Sequence, residues 1–342
     1  MHVSNKLLIG LLSLLLLSCG QTQQLARWKN KLQVETMSYG PDSTYARAIA
    51  IQDDHLYTGN SNGMIYSMNL LTDAKANLNT IALKEIRDIH VTAEHIIGMQ
   101  SGDTSRMIYI DRTTAKLQER ILQVSTHPVF LDGMDILPSG KGFMMGDPVA
   151  GYFSLYTTQN SGKDWQEILP KLSASEGEAG FAASGTNVQC LDDSTFIFVS
   201  GGMQSRFFRS GDRGKTWHIT QLPYPGSTGS GAFSVHFVNA NEGVIVGGDY
   251  THPSAADTHS FYTRDGGNTW KISEKTISGY RSCVMEYRGA YYACGTTGID
   301  ISLDKGISWH NIRSGNFISM AGAGKYLYLT IPGGKVSRIN AF

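Results

Sequence analysis

Four segments of this chain carry one spacing. They are Thr158, Asn160, Gly162 and Trp165; Ser210, Asp212, Gly214 and Trp217; Thr263, Asp265, Gly267 and Trp270; and Ser302, Asp304, Gly306 and Trp309. Each reads Ser/Thr-x-Asp/Asn-x-Gly-x-x-Trp, and only Asn160 departs from Asp. The physical content of the pattern is a hairpin turn. A short hydroxyl and a carboxylate can bond to turn backbone groups, Gly can take positive φ without a Cβ clash, and Trp re-enters the sheet with a large ring to bury. The tryptophans stand 52, 53 and 39 residues apart, close to the length of one four-stranded propeller blade.

This box resembles the Asp-box, or BNR repeat, of sialidase-like and photosystem II assembly-factor-like β-propellers. The resemblance covers roughly residues 130 to 340 and implies an all-β, seven-bladed propeller, with six or eight blades as the neighbouring counts. Strand pairs with Gly punctuation continue outside the boxes. Ala48–Ile51 with His55–Gly59, and Ile89–Val91 with His95–Gly98, predict two earlier blades. At the other end, Ile318–Met320, Tyr326–Tyr328 and Lys335–Ile339 give three strands with no fourth. The missing outer strand is expected from Leu32–Thr36, which would close the ring and protect its edges. No amphipathic helix of useful length is expected after Cys19.

The amino terminus is of another kind. Lys6 precedes an apolar run, Leu7 to Leu17, which at 1.5 Å per residue falls short of a bilayer core of roughly 30 Å. It fits the apolar region of a secretory signal. Leu16, Leu17, Ser18 and Cys19 resemble the lipobox of bacterial lipoproteins, which implies cleavage before Cys19 and acylation there. The expected organisation is a signal peptide over 1–18, a short tether over 19–28 and a propeller over 29–342. The expected location is the bacterial cell envelope, at the outer membrane or periplasmic face.

Composition excludes several classes. Lys plus Arg equals Asp plus Glu at 29 each, so no basic surface is expected for nucleic acid. Four cysteines without CxxC spacing suggest neither a disulfide scaffold nor zinc. Cys283 and Cys294 flank a hairpin predicted to turn at Arg288 and Gly289, which sets them opposite each other, as buried thiols or as a bridge. Cys190 reads as core. Gly226, Gly229 and Gly231 fail the dinucleotide fingerprint, and no cofactor is expected. Asp249, His252, Asp257 and His259 could in principle meet a divalent ion, but without ligand-type spacing no metal site is assigned.

Binding residues are expected on the upper face, which carries the blade-to-blade connections. Aligning the inner strands on their apolar alternation places Arg47, Arg87, Asp132, Thr186, Phe233, Arg281 and Asn316 at the upper lip of the channel. The three arginines would form an arc suited to a carboxylate, sulfate or phosphate, or each would pair with a neighbouring acid. Asp249 and Tyr250 lie on the long turn 247–259; Glu176, Glu178 and Phe181 lie on the irregular stretch 170–185; and Asp147 and Tyr280 lie nearby. The resemblance implies a non-catalytic platform for assembling protein complexes, and the acids, aromatics and arginines of these loops would suit a protein or glycan ligand; a monomer is expected. The alternative is a sialidase-like glycoside hydrolase, for which Asp132, Asp147, Glu178 and Tyr280 are the catalytic candidates. The match to a sialidase is loose, because the amino-terminal Arg-Ile-Pro motif is absent. Two carboxylates about 5–10 Å apart would be needed.

Overall fold

The computed structural model describes residues 23–342, apart from 31, 80–83, 103–104, 122–128 and 256–259. The proposed leader, Cys19, Asp257 and His259 therefore lie outside the described residues. Seven antiparallel sheets follow one another along the chain and close into a ring, the inner strand of the last against that of the first. The inner strands of blades one to seven are Ala46–Gln52, Ile86–Val91, Leu131–Ile136, Val188–Cys190, Ser230–Phe237, Cys283–Tyr287 and Met320–Ala323. Val34–Ser38 is the outer strand of blade seven, with Val34 opposite Ile339 and Ser38 opposite Lys335. The expected closure from the amino end is thus present, two residues further along. Among the described residues no helix is long and apolar enough to cross a membrane.

Inner strands begin at the upper face, and the four repeated turns hang from the lower one. In each turn the hydroxyl does two jobs. Ser210 Oγ donates to Asp212 Oδ1 (2.8 Å) and accepts the Gly214 N–H (2.7 Å). Asp212 in turn accepts the Thr216 N–H (2.9 Å). The same bonds recur at Thr158, Thr263 and Ser302. Residues 161, 213, 266 and 305 and the glycines that follow them all have positive φ. The glycines lie flat on the preceding blade: Gly267 on Phe207, and Gly306 on Val244.

The tryptophans then seal the seams. Trp217 meets Phe143 of blade three at 5.9 Å, Trp270 meets Phe207 of blade four at 5.0 Å, and Trp309 is fully buried against Val244 and Val246 of blade five. Between blades three and four the seam is largely aromatic, with Phe198 stacked on Phe208 at 4.2 Å and Phe143 on Phe196 at 5.1 Å. Such rings bury large apolar areas, and blade adhesion rests on them.

Two local features differ from expectation or sharpen it. Residues 23–29, read above as an unpatterned tether, form a two-turn helix. Leu25 is buried, Trp28 meets Phe342 edge-on at 5.6 Å, and Lys29 Nζ donates to Asn311 O (2.5 Å). The helix is therefore docked on the lower outer edge of blades six and seven. Cys283 and Cys294 do stand directly opposite each other, across a two-residue turn with Arg288 and Gly289 both at positive φ, the left-handed pair that matches strand twist. Both thiols are free and buried, as is Cys190.

Candidate functional site

The inner ladders place most of the expected lip residues together. Arg47, Arg87, Asp132 and Phe233 are each the residue that the pairing skips, a bulge at the upper end of blades one, two, three and five. Bulges re-aim a side chain, and here they turn four onto the upper mouth. Thr186 holds the same place two residues before Val188. In blades six and seven the position falls on Ser282 and Ile318. Arg281 comes one residue early and Asn316 two: Arg281 N–H donates to Gly247 O and Phe317 N–H to Gly295 O, the equivalent bond one blade on.

That register decides the fate of the arginine arc. Arg281 is fully buried within the ring and salt-bridged to fully buried Asp300, with Nε to Oδ2 at 2.6 Å and Nη2 to Oδ2 at 2.5 Å. Its remaining N–H groups donate to Tyr280 O, Thr297 Oγ1 and Ser278 O. It cannot meet a ligand, so the three-arginine arc is reduced to two. Arg47 and Arg87 share Glu85, at 2.9 and 2.8 Å. Arg47 also covers the Tyr45 ring at 5.2 Å, and Arg87 the Phe130 ring at 5.1 Å, as cation–π pairs. Burial holds the Arg87 guanidinium below its ordinary range, Glu85 opposing and Arg47 adding to the effect. One glutamate between two guanidinium groups leaves a partly exposed site with a positive bias.

Beside it lies an aromatic platform. Phe181 stacks on Phe233 with centroids 4.0 Å apart, and Tyr280 meets Phe233 edge-on at 4.8 Å. Tyr250 stands edge-on to both phenylalanines and is 53% exposed. Burial pushes the Tyr280 hydroxyl up, against the charge of nearby Arg47, so the two halves meet at this tyrosine. Asp249, expected as a ligand contact, is bound into its own turn. It accepts the Thr251 N–H (2.8 Å) and hydroxyl (2.6 Å) and lies 3.3 Å from His252 Nδ1. Burial would raise its carboxyl, but these donors together hold it below the usual range. Among the described residues no three His, Cys, Asp or Glu side chains gather as a metal set.

Sequence reasoning missed what fills the mouth. Residues 180–186 turn down into the channel and touch five blades. Gly180 N–H donates to Asp147 Oδ1 (2.8 Å) and Arg87 Nη1 to Ala182 O (3.4 Å). Ser184 Oγ donates to Ser282 O (2.6 Å), Ser319 Oγ to Ser184 O (3.3 Å), and Thr186 Oγ1 lies 2.6 Å from Ser234 Oγ. A Cβ at Gly180 would overlap the Asp132 carboxyl, and one at Gly185 the Asp88 carboxyl. The small residues Gly180, Ala182, Ala183, Ser184 and Gly185 were the legible signal, since only such residues permit so close an approach.

The catalytic candidates fare accordingly. Glu178 is buried against Arg206, which binds it with both Nε (2.8 Å) and Nη2, while Ser200 Oγ (2.5 Å) and the Ser175 N–H (2.9 Å) complete its shell. Asp132 is 1% exposed beneath Gly180. Tyr280 is buried. Only Asp147 is partly open, and burial pushes its carboxyl up to about 6 despite the Gly180 amide. Two solvent-facing carboxylates across a substrate cleft are not what these four residues form. Glu178→Gln is therefore expected to lower stability by about 2 kcal/mol, because Arg206 loses its charged partner. An unchanged denaturation midpoint would contradict that structural role.

On the lower face a cavity of about 480 Å³ opens between the turns of blades one to three, walled by Ile51, Val91, Ile136, Leu137 and Pro138 around His90. Among the described residues no arginine and no Phe, Tyr or Trp side chain lines it, unlike the upper face.

Comparison with known proteins follows this geometry. The family profile described as "Sortilin, neurotensin receptor 3" matches residues 153–289, less than half of the chain. No curated protein sequence matches. Among solved structures, a catalytically inactive virginiamycin B lyase from Staphylococcus aureus with quinupristin superposes with a TM-score of 0.67 at 9% identity, covering 91% of this chain and 100% of that one. YCF48 bound to D1 peptide gives 0.60 at 13% identity, covering 90% and 97%. The WD40 propeller domain of Doa1 gives 0.65 at 9% identity, covering 91% and 97%. At such identities the likeness speaks for the architecture alone, and that architecture is the seven-bladed β-propeller.

Proposed function

We propose that this chain is an exported, lipid-anchored Asp-box propeller that binds a protein or peptide on its upper face without chemistry. The observation that carries the reading is the pairing of Arg47, Glu85 and Arg87 with partly exposed Phe181 and half-exposed Tyr250, two rings that buried Phe233 and Tyr280 support from beneath. An aromatic platform with adjoining guanidinium groups suits a segment that offers an apolar side chain next to a carboxylate. A propeller of the same architecture is described with a bound peptide, which supports the ligand class. The anchor reading rests on Leu7–Leu17 and Cys19. Gln23 sits at the lower outer edge, within about 14 Å of extended chain from Cys19, so an anchor there would turn the upper face away from the membrane.

The test is direct. The full chain in detergent is presented with peptide and glycan arrays, alongside Arg47→Ala and Tyr250→Ala. Ligands retained by the wild type are expected to lose about tenfold in affinity in each variant, since a charge-assisted bond contributes about 1.5–3 kcal/mol. Ligands held undiminished by both variants would place recognition elsewhere.

A further inference from the structure

The segment inside the channel mouth is held by fixed posts and by acids without cations. At one end Glu178 is locked to Arg206, and at the other Asn187 is buried and its carbonyl accepts the Val199 N–H (3.0 Å). Between the posts the contacts are single hydrogen bonds and two apolar side chains, Phe181 and Ala183. Gly177 and Gly185 stand at positive φ near its two ends. Beneath Gly180 lie two carboxyls, Asp147 from blade three's second strand and Asp132 from its inner strand. Both Asp132 oxygens are buried with no well-formed hydrogen bond, the Ala182 amide being the one donor close by, an arrangement that costs a charged carboxylate dearly.

We propose that residues 180–185 form a displaceable plug of the central channel, held closed while Asp132 and Asp147 beneath Gly180 are protonated and released as that pair ionises. The groups that face the pair are few. Blade two contributes Arg87 and, deeper, Asp88; Glu85 and Arg47 stand behind Arg87; against the segment itself blades five, six and seven set Ser234, Phe233, Ser282, Tyr280 and Ser319, of which Tyr280 alone titrates and burial keeps it neutral. A single guanidinium, already shared with Glu85, therefore has to answer two acids.

The electrostatics agree with the geometry. Burial raises Asp132 well above the usual carboxylate range, with the charge of Asp147 adding to it and Arg87 opposing, and Asp147 is raised to about 6. A carboxyl raised in the closed state favours closure fully at pH below its ordinary range, and that contribution is lost as pH rises through the raised values. The plug is thus tightest in mild acid and loosens toward alkaline pH. Once lifted, it would leave an upper channel ringed by the hydroxyls of Thr186, Ser234, Ser282 and Ser319. Phe181 belongs both to the plug and to the upper-face cluster, so opening would also disturb that surface, but the test below needs no ligand.

Hydrogen exchange of the full chain, read by mass spectrometry on a peptide spanning 178–188 and scaled for the intrinsic rate at each pH, tests this. Between pH 6 and 8.5 the scaled protection of that peptide is expected to fall about tenfold, while the strand Cys283–Tyr287 stays constant. Asp132→Asn keeps a neutral side chain in place and should hold the plug protected across the range; Asp147→Asn should flatten the profile in the same direction. Protection that is independent of pH in the wild type would overturn the proposal. So would an undiminished pH dependence in whichever of the two variants folds.

Discussion

Arg281→Ala is expected to unfold or nearly unfold the propeller, at a cost of about 4 kcal/mol. The residue sits in the upper third of blade six, where it was first read as a ligand contact. Instead its guanidinium and the Asp300 carboxylate are both 0% exposed and bonded at 2.5–2.6 Å. Removing the cation strands a buried anion whose remaining donors are the Ser278 N–H and hydroxyl. It also removes the Arg281 donor from the Tyr280 carbonyl and leaves the Ser278 carbonyl with the Thr297 hydroxyl alone. Replacing both charges, as in Arg281→Met with Asp300→Leu, should restore part of the loss, since no charge is left buried alone while the Ser278 N–H and the Tyr280 carbonyl still lose their partners. Urea midpoints of the single and double variants decide it. A single variant as stable as the wild type would contradict the assignment of Arg281 to the scaffold.

The second large effect lies in the repeated turns. Gly267 has φ +88 and a hypothetical Cβ inside the Phe207 ring. Gly267→Ala therefore combines backbone strain with overpacking, and about 3 kcal/mol of destabilisation is expected. The neighbouring position supplies an internal control. Gly266 has φ +77, but residues 161, 213 and 305 hold the same place in other blades as Ser, Arg and Lys at φ 57, 63 and 61. Its nearest neighbours are Arg209 Nη1 and, slightly further, the Ala240 carbonyl, whereas Gly267 meets the face of a packed ring. Gly266→Lys should thus cost about 1 kcal/mol or less. Equal losses at 266 and 267 in thermal denaturation would mean that the seam with Phe207 is not what fixes the glycine.

The fold was legible because its units repeat. Four boxes set the blade length, and strand alternation carried the pattern into blades where the box fades, down to closure by the strand that begins at Val34. The upper lip was legible to the same extent. Arg47, Arg87, Asp132 and Phe233 follow strands with clean alternation, so counting back from the apolar residues finds the bulge. In blade six the chain turns at Gly279 with φ +101, and Tyr280, Cys283 and Val284 give no unambiguous phase; a one-residue slip exchanges Ser282 for Arg281 and sends the side chain into the ring. In blade seven Asn316 was placed two residues early, because Phe317 occupies the buried position that alternation assigns to the strand.

Two elements were missed because their signal is not periodic over any useful length. The plug is a run of Gly, Ala and Ser that reads as a surface loop until its small size is understood as the condition for entering a channel. The amino-terminal helix is only two turns long, and its apolar face consists of Leu25 and Trp28 alone at i, i+3. Isolated helices of that length do not form without tertiary packing, so docking on blades six and seven is what makes it a helix. Glu178 illustrates the opposite error. An acid in an irregular upper loop looks available in sequence, and only its bidentate partner Arg206 removes it from consideration.

Recognition is proposed for the upper face, with the repeated turns as scaffold. Photo-crosslinking from single positions tests this most directly. A photoreactive residue replaces Tyr250 on the upper face, or Asn268 in a lower turn, in the full chain expressed in its host cells. The account expects a discrete partner adduct from position 250, lost when Arg47→Ala is added, and none from position 268. An adduct from 268 with none from 250 would reverse the assignment of the faces.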